Sequence, residues 1–485
     1  MSEKQGTTGL ILNEPLLWEK GAPGRCGISI PKSDVESSPL DDELTRNGPG
    51  FPDLSEVDVI RHYTRLSQWN FGVDTGMYPL GSCTMKYNPK TNERQASLKG
   101  FSESHPFLPD ALSQGALAVV YHLEKYIQEI TGMDAVSLQP AAGAHGELAG
   151  MLLIHAYQRT RDDQRSKIII PDTAHGTNPA SAALCGYTQV NIQSNEKGIL
   201  TIKAVAEIMD EDTAGIMVTN PNTLGLYEEE LKGISECIHA KGGLVYCDGA
   251  NLNALMGIVK VGDLGVDVMH LNLHKTFSAP HGGGGPGSGP IACTKTLEPY
   301  LPIPRVVKEG DTFRFDENYP ESIGRMMTFY GHFGVMVRAY SYILSMGADG
   351  LKKVSQHAVL NANYIKQKLK DTYHLPYDRP CMHECVFSDA NHQSYHISTL
   401  DIAKRLIDYG FHPPTIYFPL VVKGAMMIEP TETESKEELD RFIHAMKSIS
   451  DEAKENPELL KNAPSLSKVR RLDETTAARK PCLSG

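Results

Sequence analysis

The sequence predicts an α/β protein: a larger domain built on a mainly parallel sheet, then a smaller α+β domain. Three observations predict it. From about Leu108 to Leu273 short apolar runs alternate with helical segments. That alternation implies crossover connections and a sheet covered on both faces. Beyond about Asp371 the alternation gives way to strands and two helices. A chain of 485 residues is also too long for one ordinary core. The expected divisions are an N-terminal arm and helix over 1–70, the large domain over 71–345 and the small domain over 346–485.

The elements follow in order. The first seventy or so residues are rich in Pro, Gly and charge and read as an extended arm ending in a helix over 56–68. Residues 76–89, G-M-Y-P-L-G-S-C-T-M-K-Y-N-P, have neither helical nor strand period. Long irregular segments in compact proteins are functional or disordered, and the apolar content here argues for order. A helix is expected over 113–131, a strand over 135–138, and a helix from the P-A-A-G-A-H-G-E turn to about Arg159. Strands are expected at 167–171, 216–219, 244–247 and 266–273, with helices from about Asn178 and over 228–241. A long helical stretch covers 325–371. The small domain then offers strands at 383–388 and 426–429 and a helix over 398–409. Its last helix opens with Ser435 and Glu438 at capping-box spacing and keeps Leu439, Phe442, Ile443 and Met446 on one face.

Composition narrows the function classes. A net charge of -12 argues against general nucleic-acid or membrane-surface binding. No run of 18 apolar residues is present, and the start M-S-E-K-Q-G-T-T does not read as a targeting segment. A cytoplasmic protein is the default expectation. Nine scattered cysteines fit a reducing compartment. Cys381, His383 and Cys385 have a spacing that zinc could use. Met382, Glu384 and Val386 alternate with them as on a strand, and no second ligand pair stands at finger spacing, so no metal is expected.

Four motifs at expected strand ends carry the chemistry, since ligands of such sheets bind beyond the carboxyl ends of the strands. Lys275 stands between an apolar run and a loop in which six of the ten residues from His281 to Pro290 are glycine. A lysine so placed suits a Schiff base, and burial lowers an ammonium's pKa toward the nucleophilic form. Asp248, within V-Y-C-D-G-A-N, ends an expected strand. A carboxylate there needs a cationic partner, which a pyridinium nitrogen would supply; the plain alternative is a helix cap. His175, in D-T-A-H-G-T-N-P, could stack on a flat ring or be a satisfied structural histidine. Gly143, Ala144 and His145 open a helix whose free N–H groups suit a phosphate. His274 and Thr276 flank the lysine as further donors. Together the four fit a pyridoxal 5'-phosphate site better than any one does.

The stretches G-S-C-T-M-K, S-L-Q-P-A-A-G-A-H-G-E, A-H-G-T-N-P-A-S, D-G-A-N-L-N-A, L-N-L-H-K-T-F-S-A-P-H-G-G-G-G-P-G and L-D-E-T-T-A-A-R-K-P span Gly81 to Pro481. Through them the chain resembles the pyridoxal-phosphate P-protein family of the glycine cleavage system, in its subunit 2 form. The resemblance implies the fold type I architecture of PLP-dependent transferases. It implies Lys275 as the cofactor-carrying lysine, Asp248 at the ring nitrogen and His175 on the ring. Gly143, Ala144 and His145 would meet the phosphate, with Asn251, His274 and Thr276 as further contacts. It implies glycine as substrate, a lipoylated H-protein as acceptor of the aminomethyl group, and a separate glycine decarboxylase subunit 1 in a heterotetramer with two copies of each. The 79–86 loop becomes a candidate wall of the site or a subunit interface. The segment E-K-G-A-P-G-R-C-G-I-S-I-P is only loosely like the family's start. Arg325 is one candidate for the glycine carboxylate. Two other readings stay open: another fold type I enzyme, such as an aminotransferase or a cysteine desulfurase using Cys83, and a non-catalytic scaffold half. An intact Lys275 with Asp248 argues against the last.

Overall fold

The computed structural model describes residues 14–45, 48, 50–282 and 287–483. The first thirteen residues, part of the arm's N-G-P-G stretch and residues 283–286 of the glycine-rich loop lie outside the described residues. The chain divides into two units, residues 1–75 with 463–485, and Gly76–Asn462.

In the first unit the expected helix runs Glu56–Ser67. Ser55 Oγ accepts from the Asp58 N–H at 3.2 Å and Asp58 Oδ2 accepts from the Ser55 N–H at 3.3 Å, a capping box that sets its start. Glu14 gathers His62 at 2.9 Å, Arg65 at 3.0 Å and Lys20. That ion cluster ties the arm to the helix, and it explains how a segment without periodicity holds a shape.

The second unit carries a seven-stranded sheet: β1 (Ala135–Ser137), β2 (Lys167–Pro171), β3 (Thr188–Ile192), β4 (Thr213–Thr219), β5 (Leu244–Gly249), β6 (Val268–Leu271) and β7 (Ile291–Cys293). The spatial order is β1-β7-β6-β5-β4-β2-β3, with only β7 antiparallel to its neighbours. Alternate residues enter separate cores. Ile169, Val218, Val245 and Met269 pack on one face, and Ile168, Met217, Tyr246 and Val268 on the other. This is the doubly covered parallel sheet that the apolar runs predict.

The strands β3 and β7 are additions to the expected pattern, as is a hairpin of β8 (Arg305–Glu309) and β9 (Thr312–Asp316). The long helix begins at Phe333, not near Arg325, and runs to Leu369 with a break at Gly347, where φ is 61°. A left-handed residue cannot continue a right-handed helix. The small lobe is a three-stranded antiparallel sheet of β10 (Cys385–Ser388), β11 (Thr415–Ile416) and β12 (Ala425–Ile428), ordered β10-β12-β11. Helices Thr399–Asp408 and Lys436–Glu455 cover it, the second through Leu439, Phe442, Ile443 and Met446. The 79–86 loop lies along β12: Gly81 N–H donates to Met427 O at 3.3 Å and Glu429 N–H to Pro79 O at 3.3 Å. A Cβ at Gly81 would come within 2.2 Å of the Met427 side chain, so glycine permits the approach. Among the described residues no helix is long and apolar enough to cross a membrane.

Candidate active site

Strands β1, β2, β4, β5 and β6 run the same way, so their carboxyl ends share one edge of the sheet. The segments leaving those ends line one cleft of about 330 Å³. Lys275, Asp248, His175, Gly143, Ala144, Asn251 and His274 all line it. Each of the four sequence motifs thus delivers at least one side chain or backbone wall to the same space.

Lys275 follows β6 by a turn in which its N–H donates to Asn272 O at 3.1 Å. Leu271 and Leu273 continue the pairing to Pro290 O at 2.9 Å and Ser288 O at 3.1 Å, which holds the turn at the sheet edge. The lysine is half-buried, and among the described residues its Nζ has no hydrogen-bond or ion-pair partner. Asp248 sits inside β5 and is 4% exposed. Its carboxylate accepts from Asn178 Nδ2 at 3.1 Å and from the Ala250 N–H at 3.0 Å. The residues after it form turns and no helix, so Asp248 caps nothing. Its register partner His270 places Nε2 3.5 Å away. Burial pushes that imidazole down to about 4 and holds the Tyr246 phenol, hydrogen-bonded to His270 Nδ1, well above its usual range. A neutral His270 protonated at Nε2 accepts the Tyr246 hydroxyl at Nδ1 and turns Nε2 toward Asp248 without a close hydrogen bond to it. The carboxylate of Asp248 is therefore buried against neutral dipoles, with no cation in contact among the described residues.

Glu147, on the first turns of helix Gly143–Arg159, brings its carboxyl, with those of Asp248 and His270's ring, to within 4.8 Å of one another. Burial first, and then Asp248, lift its pKa to about 8. Thr177 Oγ1 donates to Glu147 Oε1 at 2.6 Å and stands 2.9 Å from His175 Nδ1, which also accepts the Thr177 N–H at 3.3 Å. The His175 ring is thereby fixed by the helix that follows it. Burial lowers its pKa, so the ring is neutral. The sequence does not single out Thr177 or His270, and includes Glu147 only as the end of the turn expected to meet a phosphate. The one available signal was a glutamate inside an otherwise small and apolar helix start.

Two expected contacts stand back from the cleft wall. The His145 imidazole folds onto its own turn, accepting the Ala141 N–H at 3.1 Å. Its backbone N–H, with those of Gly143 and Ala144, belongs to the unpaired first turn of the helix. The Thr276 side chain is 1% exposed and accepts the Leu252 N–H at 2.9 Å, locking the lysine turn to the chain beyond β5. His274 does line the cleft and accepts the Ser288 N–H at 3.2 Å; burial drives it to about 3. Arg325 lies outside the lining and pairs with Glu317.

The opposite wall comes from the 79–86 loop and the small lobe, through Ser82, Cys83, His383 and Glu384. The loop is thus a wall of the cleft. Burial raises the Cys83 thiol, which disfavours the nucleophilic thiolate. Cys381 and Cys385 are buried thiols whose pKa burial also raises. Among the described residues the group with metal-like convergence here is His383, Glu384 and Glu429, without either cysteine.

The cleft holds unmet polar capacity. Glu147 Oε2, Thr219 Oγ1, His270 Nε2 and Asn272 Oδ1 belong to lining residues and are buried without a close hydrogen-bond partner among the described residues. Buried polar atoms are normally paired, so their concentration at one place marks a ligand site.

Comparison with known proteins places the chain in a family. A family model described as glycine cleavage system P-protein matches residues 57–311, and one described as glycine dehydrogenase, C-terminal domain, matches residues 354–465. A Listeria innocua protein described as "Probable glycine dehydrogenase (decarboxylating) subunit 2" is 56% identical over 475 residues, 97% of each chain. A protein of the same description from Caldanaerobacter subterraneus is 56% identical over 474 residues, covering 96% of this chain and 98% of its own. Among solved structures, the fold is similar to a glycine decarboxylase (P-protein) in inhibitor-bound form, with a TM-score of 0.71, 19% identity, and coverage of 84% of this chain and 93% of that one. It is also similar to a cysteine desulfurase from Escherichia coli, with a TM-score of 0.60, 15% identity, and coverage of 79% and 97%. Identities that low speak to the fold alone, and the fold is that of the fold type I PLP-dependent enzymes.

Proposed function

The chain belongs to the glycine cleavage system P-protein family, and from that premise we propose that it is the lysine-bearing subunit of a PLP-dependent glycine decarboxylase. It removes the carboxylate of glycine as CO₂ and passes the aminomethyl group to the lipoyl disulfide of an H-protein. Because its relatives are described as subunit 2, we place a separate subunit 1 beside it, with two copies of each in the working enzyme.

The observation that carries the reading is the Lys275 Nζ, without a partner among the described residues, in a cleft where several buried polar atoms also lack one. Those residues fit pyridoxal phosphate. When bound, the cofactor supplies an electron-withdrawing ring that takes up the electron pair left as CO₂ departs. The chain's residues do the rest. Lys275, without a partner among the described residues, is the amine that would hold the cofactor and give way to glycine. Asp248 offers a buried carboxylate with no cation in contact, the complement of a protonated ring nitrogen, and Asn178 and Ala250 hold it in place. His175 packs a neutral ring on the cleft, oriented through Thr177 and Glu147. The N–H groups of Gly143, Ala144 and His145, at a helix start, would receive the phosphate. Asn251 and His274 close the sides, and Thr276 fixes the turn that presents the lysine.

The test is the purified chain, alone and with subunit 1, given glycine and a lipoylated carrier. The expected result is glycine-dependent CO₂ release with one carrier thiol formed per turnover, strong only with subunit 1. Full activity of the chain alone would overturn the two-subunit arrangement; CO₂ release that ignores the carrier would overturn the transfer.

A further inference from the structure

The small-lobe wall of the cleft contains a pair of carboxyls that the reaction so far leaves unused. Glu384 immediately precedes β10 and Glu429 immediately follows β12, and the antiparallel register of these strands sets the two opposite each other. They are 3% and 0% exposed, and their oxygens lie with His383 within 4.8 Å of one another. Two carboxylates so close and so buried cannot both be ionised, so the pair holds a proton. The hydrogen bonds say where. Glu429 accepts from Thr84 Oγ1 at 2.7 Å, from the Thr84 N–H at 3.2 Å and from Asn251 Nδ2 at 3.0 Å, which favours its ionised form. Among the described residues Glu384 accepts only the Ser82 N–H, at 2.8 Å. Ser82 and Thr84 both have positive φ, 66° and 38°, a conformation that a β-branched residue rarely adopts. The carboxyl pair is what grips this strained loop. Of the two, only Glu384 lines the cleft with Lys275.

The transfer reaction requires a proton. The aminomethyl carbon forms a bond to one lipoyl sulfur, the S–S bond breaks, and the departing sulfur leaves with the electron pair. Glycine, the disulfide and one proton give CO₂, the aminomethyl thioether and one free thiol. We propose that Glu384, sharing its proton with Glu429, is the acid that protonates the departing lipoyl sulfur, an inference that rests on the aminomethyl-transfer reading above. The proton is replaced from solvent after each turnover. An acid that keeps its proton at neutral pH can deliver it to a departing thiolate, and burial first, then Glu429, raise Glu384 well above the ordinary carboxyl range. The other groups facing the pair fit this. His383 is held neutral by burial with Lys275 and Lys86 nearby, Cys83 is a thiol that burial raises, and Lys275 lowers both carboxyls.

The experiment uses the enzyme assembled with subunit 1, with Glu384→Gln and Glu429→Gln. Infrared spectra of the substrate-free wild type should show a carboxylic-acid carbonyl at neutral pH that is lost in Glu384→Gln. That variant should bind cofactor and give the wild-type spectral response to glycine. Carrier thiol should appear about a hundredfold more slowly. The wild-type rate should fall as pH rises through the pair's pKa, and the residual Glu384→Gln rate should lack that limb. Glu429→Gln removes the neighbouring negative charge, so it should move the limb to lower pH with a smaller loss of rate. A purely structural role would not move the limb. Thiol formation in Glu384→Gln within twofold of wild type, or a limb unmoved in both variants, overturns the assignment. A wild type with no response to glycine would instead overturn the underlying reading, and this one with it.

Discussion

Lys86 and Lys275 are buried to different degrees in adjoining parts of the molecule, and only one is used up. The Lys86 side chain is 1% exposed and gives its ammonium to Asn253 Oδ1 at 2.7 Å, Thr276 O at 3.0 Å and Glu432 Oε1 at 2.7 Å. An ammonium has three donors, and all three are spent. Lys275 spends none among the described residues. The two meet at Thr276, whose carbonyl Lys86 holds and whose backbone follows Lys275 directly. Burial alone therefore does not mark a site. A saturated buried charge supports a structure; an unsaturated one is held in reserve for a ligand.

The sharpest break of that comparison is Lys275→Ala. Glycine turnover should fall by about four orders of magnitude or more, because the cofactor-carrying amine is gone. Borohydride treatment should fix cofactor to the Lys275 peptide in the wild type and to nothing in the variant. Cofactor recovered on Lys86 would reverse the roles given to the two lysines.

Lys86→Met is the complementary change. Removing one partner of a buried pair strands Glu432 and the Thr276 carbonyl, at a cost of about 3–5 kcal/mol in folding stability. Denaturant titration should read that loss, while the folded fraction still fixes cofactor on Lys275. A stability loss under 1 kcal/mol would mean that the cluster is looser than its distances indicate.

Asp248→Asn tests the under-partnered wall. Asparagine can still accept the Ala250 N–H but cannot balance a protonated ring nitrogen. Cofactor should remain bound and decarboxylation should slow about a hundredfold. Near-normal turnover with cofactor present would move the counter-charge to another acid, and Glu147 stands next in line.

How much of this could be read in the sequence follows from the same distinction between local and long-range signals. The strands that present Asp248 and Lys275 were legible because a doubly covered strand is an apolar run. Thr188–Ile192 was not, because this edge strand exposes most of its side chains and reads as loop. Ile291–Cys293 is three residues long, too short to carry a period. The hairpin β8–β9 did carry a signal in the Gly310-Asp311 turn between two alternating runs. The Glu384–Glu429 pair was invisible, since only the register of two strands about forty residues apart brings them together. Thr177 looked like an ordinary helix start until the structure put Glu147 behind it. His145 and Thr276 were visible as polar neighbours of the right motifs. Whether a side chain faces the ligand or the protein depends on the turn, which a pattern of residue types does not specify.

The smallest effect sharpens the comparison most, because it asks whether the cleft costs the fold anything. Glu147 is buried with its Oε2 unpartnered, and its pKa rises from an ordinary 4.5 to about 8. Between those values the folded chain binds a proton that the unfolded chain has lost. Stability should therefore fall as pH rises from 4.5 toward 8, and no penalty from this group remains below 4.5. Glu147→Gln keeps an acceptor for Thr177 Oγ1 and cannot ionise. In the cofactor-free chain it should match the wild type near pH 4 and exceed it by about 2 kcal/mol near pH 8, less than full linkage because water enters the cleft. The difference cancels the common contributions of His175 and His270, which titrate in both proteins. Saturated Lys86 offers no such gain, since its replacement only loses partners. Parallel stability curves for Glu147→Gln and wild type from pH 4 to 8 would mean that Glu147 is ionised in the fold, and that a cation reaches it which Asp248 lacks.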